Sequence, residues 1–246
     1  VIWFVGAGAG DPELITLKGY HLLQEADLVI YAGSLVNPAL LSYARPEARK
    51  VNSASLDLNE IVEHMVDAYQ KGEKVVRLHT GDPSLYGAIG EQMDRLDELG
   101  IPYGVVPGVS AFLAAAATLK REYTVPDGTQ TLIITRMEGR TAVPSSEEMK
   151  NLAVHGSSMA IFLSVGMIDQ VVGELLNGYP PETPAVVVEK ASWPDERKIV
   201  GTLSNIADLT RAAGITKTAL ILVGDFLRQT GRSKLYDKGF SHGFRA

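Results

Sequence analysis

Val1-Ile2-Trp3-Phe4-Val5-Gly6-Ala7-Gly8-Ala9-Gly10-Asp11-Pro12 is the stretch on which the fold turns. Its first five residues are apolar, mostly branched or aromatic, and suit a buried strand. Three glycines separated by single alanines follow; glycine lets a backbone turn tightly and approach a ligand or another segment closely. Asp-Pro then suits a helix opening, so a helix is expected to start near Pro12. Strand, tight loop and helix make the first half of a crossover to a parallel neighbour.

The pattern continues outward. Apolar runs at residues 27–31, 74–79 and 101–106 are separated by helical stretches. The clearest of these puts Leu58, Ile61, Val62, Met65, Val66 and Tyr69 on one face. After Leu119 the character changes, and Pro126-Asp127-Gly128 marks a joint. Strand-like runs resume at 131–136, 158–164, 185–190, 198–203 and 219–223, the third and fourth close enough for an antiparallel hairpin. The expected fold class is α/β, with two α/β domains at residues 1–121 and 122–246. The first sheet should be mainly parallel and the second mixed. Residues 233–246 are expected to pack loosely at the surface.

Composition narrows the function. The chain has 246 residues, 46% of them hydrophobic, which is enough for one large core or two small ones. No apolar run nears the roughly 20 residues of a membrane-spanning helix, so no membrane partner is expected. No basic region precedes the first strand, which argues against a signal peptide. The absence of cysteine excludes disulfides, thiolate catalysis and cysteine-bound metal, and is compatible with a cytoplasmic location. A formal net charge of −6 speaks against a nucleic-acid partner but leaves room for an anionic small molecule held by a local basic cluster. His21, His64, His79, His155 and His242 lack metal-ligand spacing, so no metal site is expected.

Three loops follow strands and could carry chemistry. The Gly6 to Gly10 loop suggests a dinucleotide cradle, but its spacing is G-x-G-x-G, and Asp11 sets a negative charge where a pyrophosphate would lie. The second run ends at Tyr31-Ala32-Gly33, without an acid for a ribose. An NAD(P)-dependent oxidoreductase is the rival reading from another class. The second loop, Thr80-Gly81-Asp82-Pro83-Ser84-Leu85-Tyr86-Gly87, lies where open α/β sheets collect ligands, although Asp82 could simply cap the next helix. The third, Pro107-Gly108-Val109-Ser110-Ala111, lacks the G-x-S-x-G elbow of a hydrolase and opens a small-residue helix.

Taken in order and spacing, these loops resemble the tetrapyrrole methyltransferases. The resemblance rests on residues 6–18, on Gly81-Asp82-Pro83, on residues 107–111, and on Trp193-Pro194-Asp195-Glu196-Arg197 leading to Gly201-Thr202-Leu203. Residues 124–131 and 136–141, with the tail segments 233–238 and 242–245, are similar to the precorrin-4 C-11 methyltransferases of cobalamin synthesis. Ala9 departs from the proline of most relatives, and Gly33 from the acidic residue of many.

The resemblance implies S-adenosyl-L-methionine (SAM) as methyl donor, S-adenosyl-L-homocysteine (SAH) as product, a cleft between the two domains, and a homodimer. It implies SAM contacts at Gly81, Asp82, Leu85, Ser110, Ala111, Val165, Ala191, Thr218 and Ala219. The substrate would be an anionic tetrapyrrole, precorrin-4 or cobalt-precorrin-4. Gly8, Gly10 and Asp11 are expected to line its trough, and Arg136 and Arg140, with Lys120 and Arg121 behind them, to meet its carboxylates. Methyl transfer from a sulfonium needs no enzyme nucleophile, and no catalytic acid or base is singled out. Another precorrin, a modified protein histidine or ribosomal RNA are alternative acceptors for the same fold, and a non-catalytic SAM-binding protein is a further alternative.

Overall fold

The computed structural model describes residues 1–228, 233 and 241. Tail segments 234–238 and 242–245 lie outside the described residues. The chain forms two compact units, one of residues 1–114 with 192–194 and one of residues 115–191 with 195 onward.

The first unit is a parallel sheet of five strands in the order β3-β2-β4-β1-β5. These are β1 (Ile2–Gly6), β2 (Leu28–Tyr31), β3 (Arg49–Asn52), β4 (Val75–His79) and β5 (Tyr103–Val106). α1 (Leu17–Glu25), α2 (Leu58–Gln70) and α3 (Gly90–Glu98) connect them. Alternate residues feed opposite cores: Val5, Val29, Val76 and Leu78 on one face, Ile2, Phe4, Leu28, Ile30 and Val75 on the other. The stripe of α2 joins the second of these through Ile61, Met65 and Ala68. The same helix is opened by a capping box, in which Asp57 Oδ1 accepts from the Glu60 N–H at 2.9 Å and Glu60 Oε2 accepts from the Asp57 N–H at 2.8 Å.

Two local expectations are corrected. The first helix does not start near Pro12: Pro12–Leu14 is one 3₁₀ turn, Ile15 is extended, and α1 begins only after Thr16, whose hydroxyl accepts from Gly19 N–H at 3.1 Å. Nor does Asp82 cap the next helix, because residues 83–86 form a turn and α3 starts at Gly90.

The second unit is a mixed sheet of five strands in the order β6-β7-β10-β8-β9. They are β6 (Leu132–Arg136), β7 (Ser158–Phe162), β8 (Pro184–Glu189), β9 (Arg197–Thr202) and β10 (Ala219–Val223), with helices α5 (Met149–Ala153), α6 (Ile168–Leu175) and α7 (Ile206–Ala212) between them in the chain; α4 (Ala111–Leu119) begins in the first unit and ends in the second. β6 and β7 run parallel, while β10 is antiparallel to both β7 and β8. β8 and β9 form the expected hairpin, Val187 facing Ile199. The core of this unit gathers Met159, Ile161, Val171, Leu175, Val187 and Ile221. Among the described residues no helix is long and apolar enough to cross a membrane.

Candidate functional site

Because β4, β1 and β5 are parallel neighbours, their carboxyl ends present three loops at one edge of the first sheet. Those loops are fastened to each other. Gly81 N–H donates to Gly8 O at 2.9 Å, Gly8 N–H returns a bond to Gly81 O at 3.3 Å, and Ala7 N–H donates to His79 O at 2.7 Å. The glycines serve this fastening. A Cβ on Gly108 would fall 2.1 Å from Gly81 O, and one on Gly6 would fall 2.5 Å from Gly108 Cα. Gly8 and Gly81 also hold φ of +79° and +61°, the left-handed region that favours glycine.

Asp82 ties the second loop to the third. Its Oδ1 accepts from Ser84 N–H at 2.8 Å, and its Oδ2 accepts from Gly108 N–H at 2.8 Å. Burial alone would raise its pKa, but the bonds from the Ser84 hydroxyl, Gly108 N–H and Ser84 N–H outweigh it, and the carboxyl stays below the usual range. Ser110 is buried beside the same loop: a Cβ on Gly81 would lie 3.5 Å from Ser110 Cα and 3.8 Å from Ala111 N. Gly81, Asp82, Ser110 and Ala111 are therefore neighbours, and Leu85 follows half-buried within the second loop.

The first loop is held from a different direction. Gly8 and Gly10 are buried and Asp11 is half-buried, its carboxylate accepting from Glu13 N–H at 2.9 Å. Asn37 Nδ2 donates to Gly10 O at 2.8 Å. Trp193 Nε1 donates to Ala9 O at 3.1 Å, and Asp11 N–H donates to Ser192 Oγ at 3.0 Å. Sequence reasoning saw Trp193 only as part of a motif, since nothing local connects it with a loop 184 positions away.

Beneath the second loop, β4 carries two buried basic side chains. The Arg77 guanidinium donates through Nε to Gln92 Oε1 at 3.2 Å and through Nη1 to Ile30 O at 3.4 Å, and burial lowers its pKa to about 10. His79 is 4% exposed, and its Nε2 makes no hydrogen bond. Burial, with Arg77 adding to it, pushes the imidazole down to about 3, so His79 is neutral.

In the second unit, Ala191, Thr218 and Ala219 meet where β8 ends and β10 begins, with Lys190 N–H donating to Thr218 O at 2.9 Å. Backbone strain gathers at this sheet edge: Leu163, Lys190 and Thr218 hold φ of +55°, +49° and +54°. Val165 is 4% exposed and belongs to the core, whereas Leu163, which the sequence did not single out, is 70% exposed. Ser164 Oγ accepts from Met137 N–H at 2.8 Å and so joins the ends of β6 and β7. Arg136 turns its guanidinium onto its own loop, with Nη1 donating to Thr141 O at 3.0 Å and Nη2 to Ala142 O at 2.8 Å. Arg140 is exposed on that loop, and Lys120 is exposed at the end of α4 with φ +53°. Among the described residues no three His, Asp or Glu side chains cluster as metal ligands would.

Comparison with known proteins gives one consistent picture. The family pattern of the tetrapyrrole (corrin/porphyrin) methylases matches residues 1–207. A cobalt-precorrin-4 C(11)-methyltransferase of Methanocaldococcus jannaschii is 56% identical over 244 residues, 98% of this chain and 94% of that protein. A solved cobalt-precorrin-4 methyltransferase, a cobalamin biosynthetic enzyme, superposes with a TM-score of 0.90 at 47% identity, over 92% of this chain and 95% of that one. The uroporphyrin-III C-methyltransferase of Thermus thermophilus, solved with S-adenyl homocysteine, superposes with a TM-score of 0.76 at 31% identity, over 92% and 98% of the two chains.

Proposed function

The chain belongs to the tetrapyrrole (corrin/porphyrin) methylases, and from that membership we propose that it transfers a methyl group from SAM to C-11 of cobalt-precorrin-4 in cobalamin synthesis. The observation that carries this reading is the near-full-length likeness to the Methanocaldococcus enzyme. The fastened loops at the carboxyl edge of the first sheet support it, being a rigid platform of small residues and backbone groups of the kind a nucleoside needs.

SAM supplies a methyl carbon already activated by its sulfonium, so the residues need only hold and orient. Gly81, Asp82, Ser110 and Ala111 are small or already hydrogen-bonded, which fits close backbone contact with an adenosine. Asp82 fixes the shape of that contact through Gly108. Leu85 is half-buried and offers apolar surface, and Val165, the other proposed apolar contact, is 4% exposed in the core of its unit. Ala191, Thr218 and Ala219 complete the proposed SAM set, and Gly8, Gly10 and Asp11 the floor for the ring. Arg136 orders the loop that carries Arg140, and Arg140 meets a ring carboxylate. Holding two reactants in register is worth roughly 7–11 kcal/mol of barrier, which suits a site without an evident acid or base. The enzyme would act as a homodimer, a reading that rests on the family resemblance and is checked by light scattering in solution, and in the cytoplasm, with which the absence of cysteine is compatible.

The test is incubation with labelled SAM and either cobalt-precorrin-4 or metal-free precorrin-4, followed by location of the label by NMR. Label at C-11, with faster turnover of the cobalt form, is expected. Label at another ring carbon overturns the regiochemistry, and faster turnover of the metal-free ring overturns the choice of substrate.

A further inference from the structure

Trp193 joins a sequence motif to the first glycine loop. The connection between β8 and β9 contributes Ser192–Pro194 to the first unit, and this short strap grips successive residues of the loop. The indole N–H takes the carbonyl of Ala9, and the Ser192 hydroxyl takes the N–H of Asp11. Between them a Cβ on Gly10 would fall 2.0 Å from indole Cδ1 and 2.3 Å from Nε1. Gly10 is not in the left-handed region, so the ring, and not a turn, demands glycine there. Ser192 itself holds φ +66°, a strained conformation that persists only where surrounding contacts over-determine it.

We propose that Trp193 and Ser192 are positioning residues for the methyl-accepting tetrapyrrole. The strap fixes the peptide groups of Ala9, Gly10 and Asp11, the part of the glycine loop that the ring meets. The second and third loops, proposed for SAM, keep a tie of their own through Asp82–Gly108, and the strap grips the first loop beyond Gly8, the residue paired with Gly81. This rests on the proposed reaction.

The experiment uses the full chain as wild type, Trp193→Ala, Trp193→Phe, Gly10→Ala, and Gly10→Ala combined with Trp193→Ala. Each is assayed with cobalt-precorrin-4 and SAM varied separately, by SAH and tetrapyrrole calorimetry, and by thermal melting. Trp193→Ala should lower kcat/KM for the tetrapyrrole about 10- to 100-fold, as expected for a small misplacement of a reactant. Its SAH affinity should stay within about twofold, because the loops proposed for SAM keep their own fastenings. Trp193→Phe should regain the melting temperature without regaining turnover, since it restores the ring but not the N–H. Gly10→Ala should cost about tenfold or more beside Trp193, and less than about twofold further once the indole is gone. Equal losses for both ligands, full recovery of turnover in Trp193→Phe, or additive effects in the double variant would each overturn the proposal. A wild type that leaves cobalt-precorrin-4 unmethylated would instead sink the proposed reaction. The strap is then judged by tetrapyrrole calorimetry and melting, where additivity overturns it and non-additivity sustains it.

Discussion

Gly108 and Gly173 show how differently two glycines can be used. A Cβ on Gly108 would sit 2.1 Å from the carbonyl oxygen of Gly81, whereas one on Gly173, inside α6, meets nothing within 4 Å. Gly108→Ala should therefore destabilise by about 1–3 kcal/mol or more through overpacking. Gly173→Ala should stabilise by about 0.8–1 kcal/mol through helix propensity alone. Urea denaturation of both variants checks the opposite signs. Gly8 is a poor probe of the ring-binding role by itself, since its backbone pairs with Gly81 and a valine there would disturb both loops. Arg140 is a cleaner probe than Arg136, whose donors already serve its own loop. Arg140→Ala should weaken tetrapyrrole binding about two- to fivefold, the worth of an exposed ion pair, and leave SAH affinity unchanged in calorimetry. The glycine spacing was legible as a tight loop, but its partner was not. Periodicity reports which face a residue takes, and it carries no signal for an indole arriving from residue 193.

At the scale of elements, β4 makes the sharpest demand on solution conditions. His79 titrates near 6.5 when unfolded and near 3 in the fold, so between these values the unfolded chain binds more protons. Its contribution to stability is complete above pH 6.5 and is lost as pH falls toward 3, roughly 2 kcal/mol having gone by pH 5. Denaturation of wild type and His79→Gln at pH 7.5 and pH 5 tests this: the variant should lose less stability on acidification, and equal losses would contradict the assignment. Most strands were readable because their apolar runs are buried on both faces. β3 was not, because Arg49-Lys50-Val51-Asn52 is a largely exposed edge whose hydrogen bonds, not its side chains, make it a strand. The start of α1 was misread for a related reason. Asp11 and Pro12 do begin a helical turn, but Ile15 returns to extended backbone before Thr16 caps the real helix.

Across the whole molecule, ligand linkage separates the methyltransferase from the oxidoreductase that the first loop had suggested. SAH at about 100 times its Kd should add roughly 2.7 kcal/mol to unfolding and raise the melting temperature, and NADH or NADPH at the same concentration should not. A shift with the nicotinamide cofactors alone would reverse the reading. The alternation of strands and helices was enough to reveal an α/β chain with a parallel and a mixed sheet. The strand order was not, because pairing between distant runs leaves no local trace. That order has a consequence for synthesis on the ribosome. The strands of the first sheet are all available once Val106 has emerged, but β10 follows every strand it joins and lies between β7 and β8. Until Ala219–Val223 leaves the exit tunnel, β7 and β8 wait with open edges and no common neighbour, the kind of surface that chaperones shield. The second sheet is thus joined up late, and translational pauses upstream of residue 219 would prolong its most aggregation-prone moment.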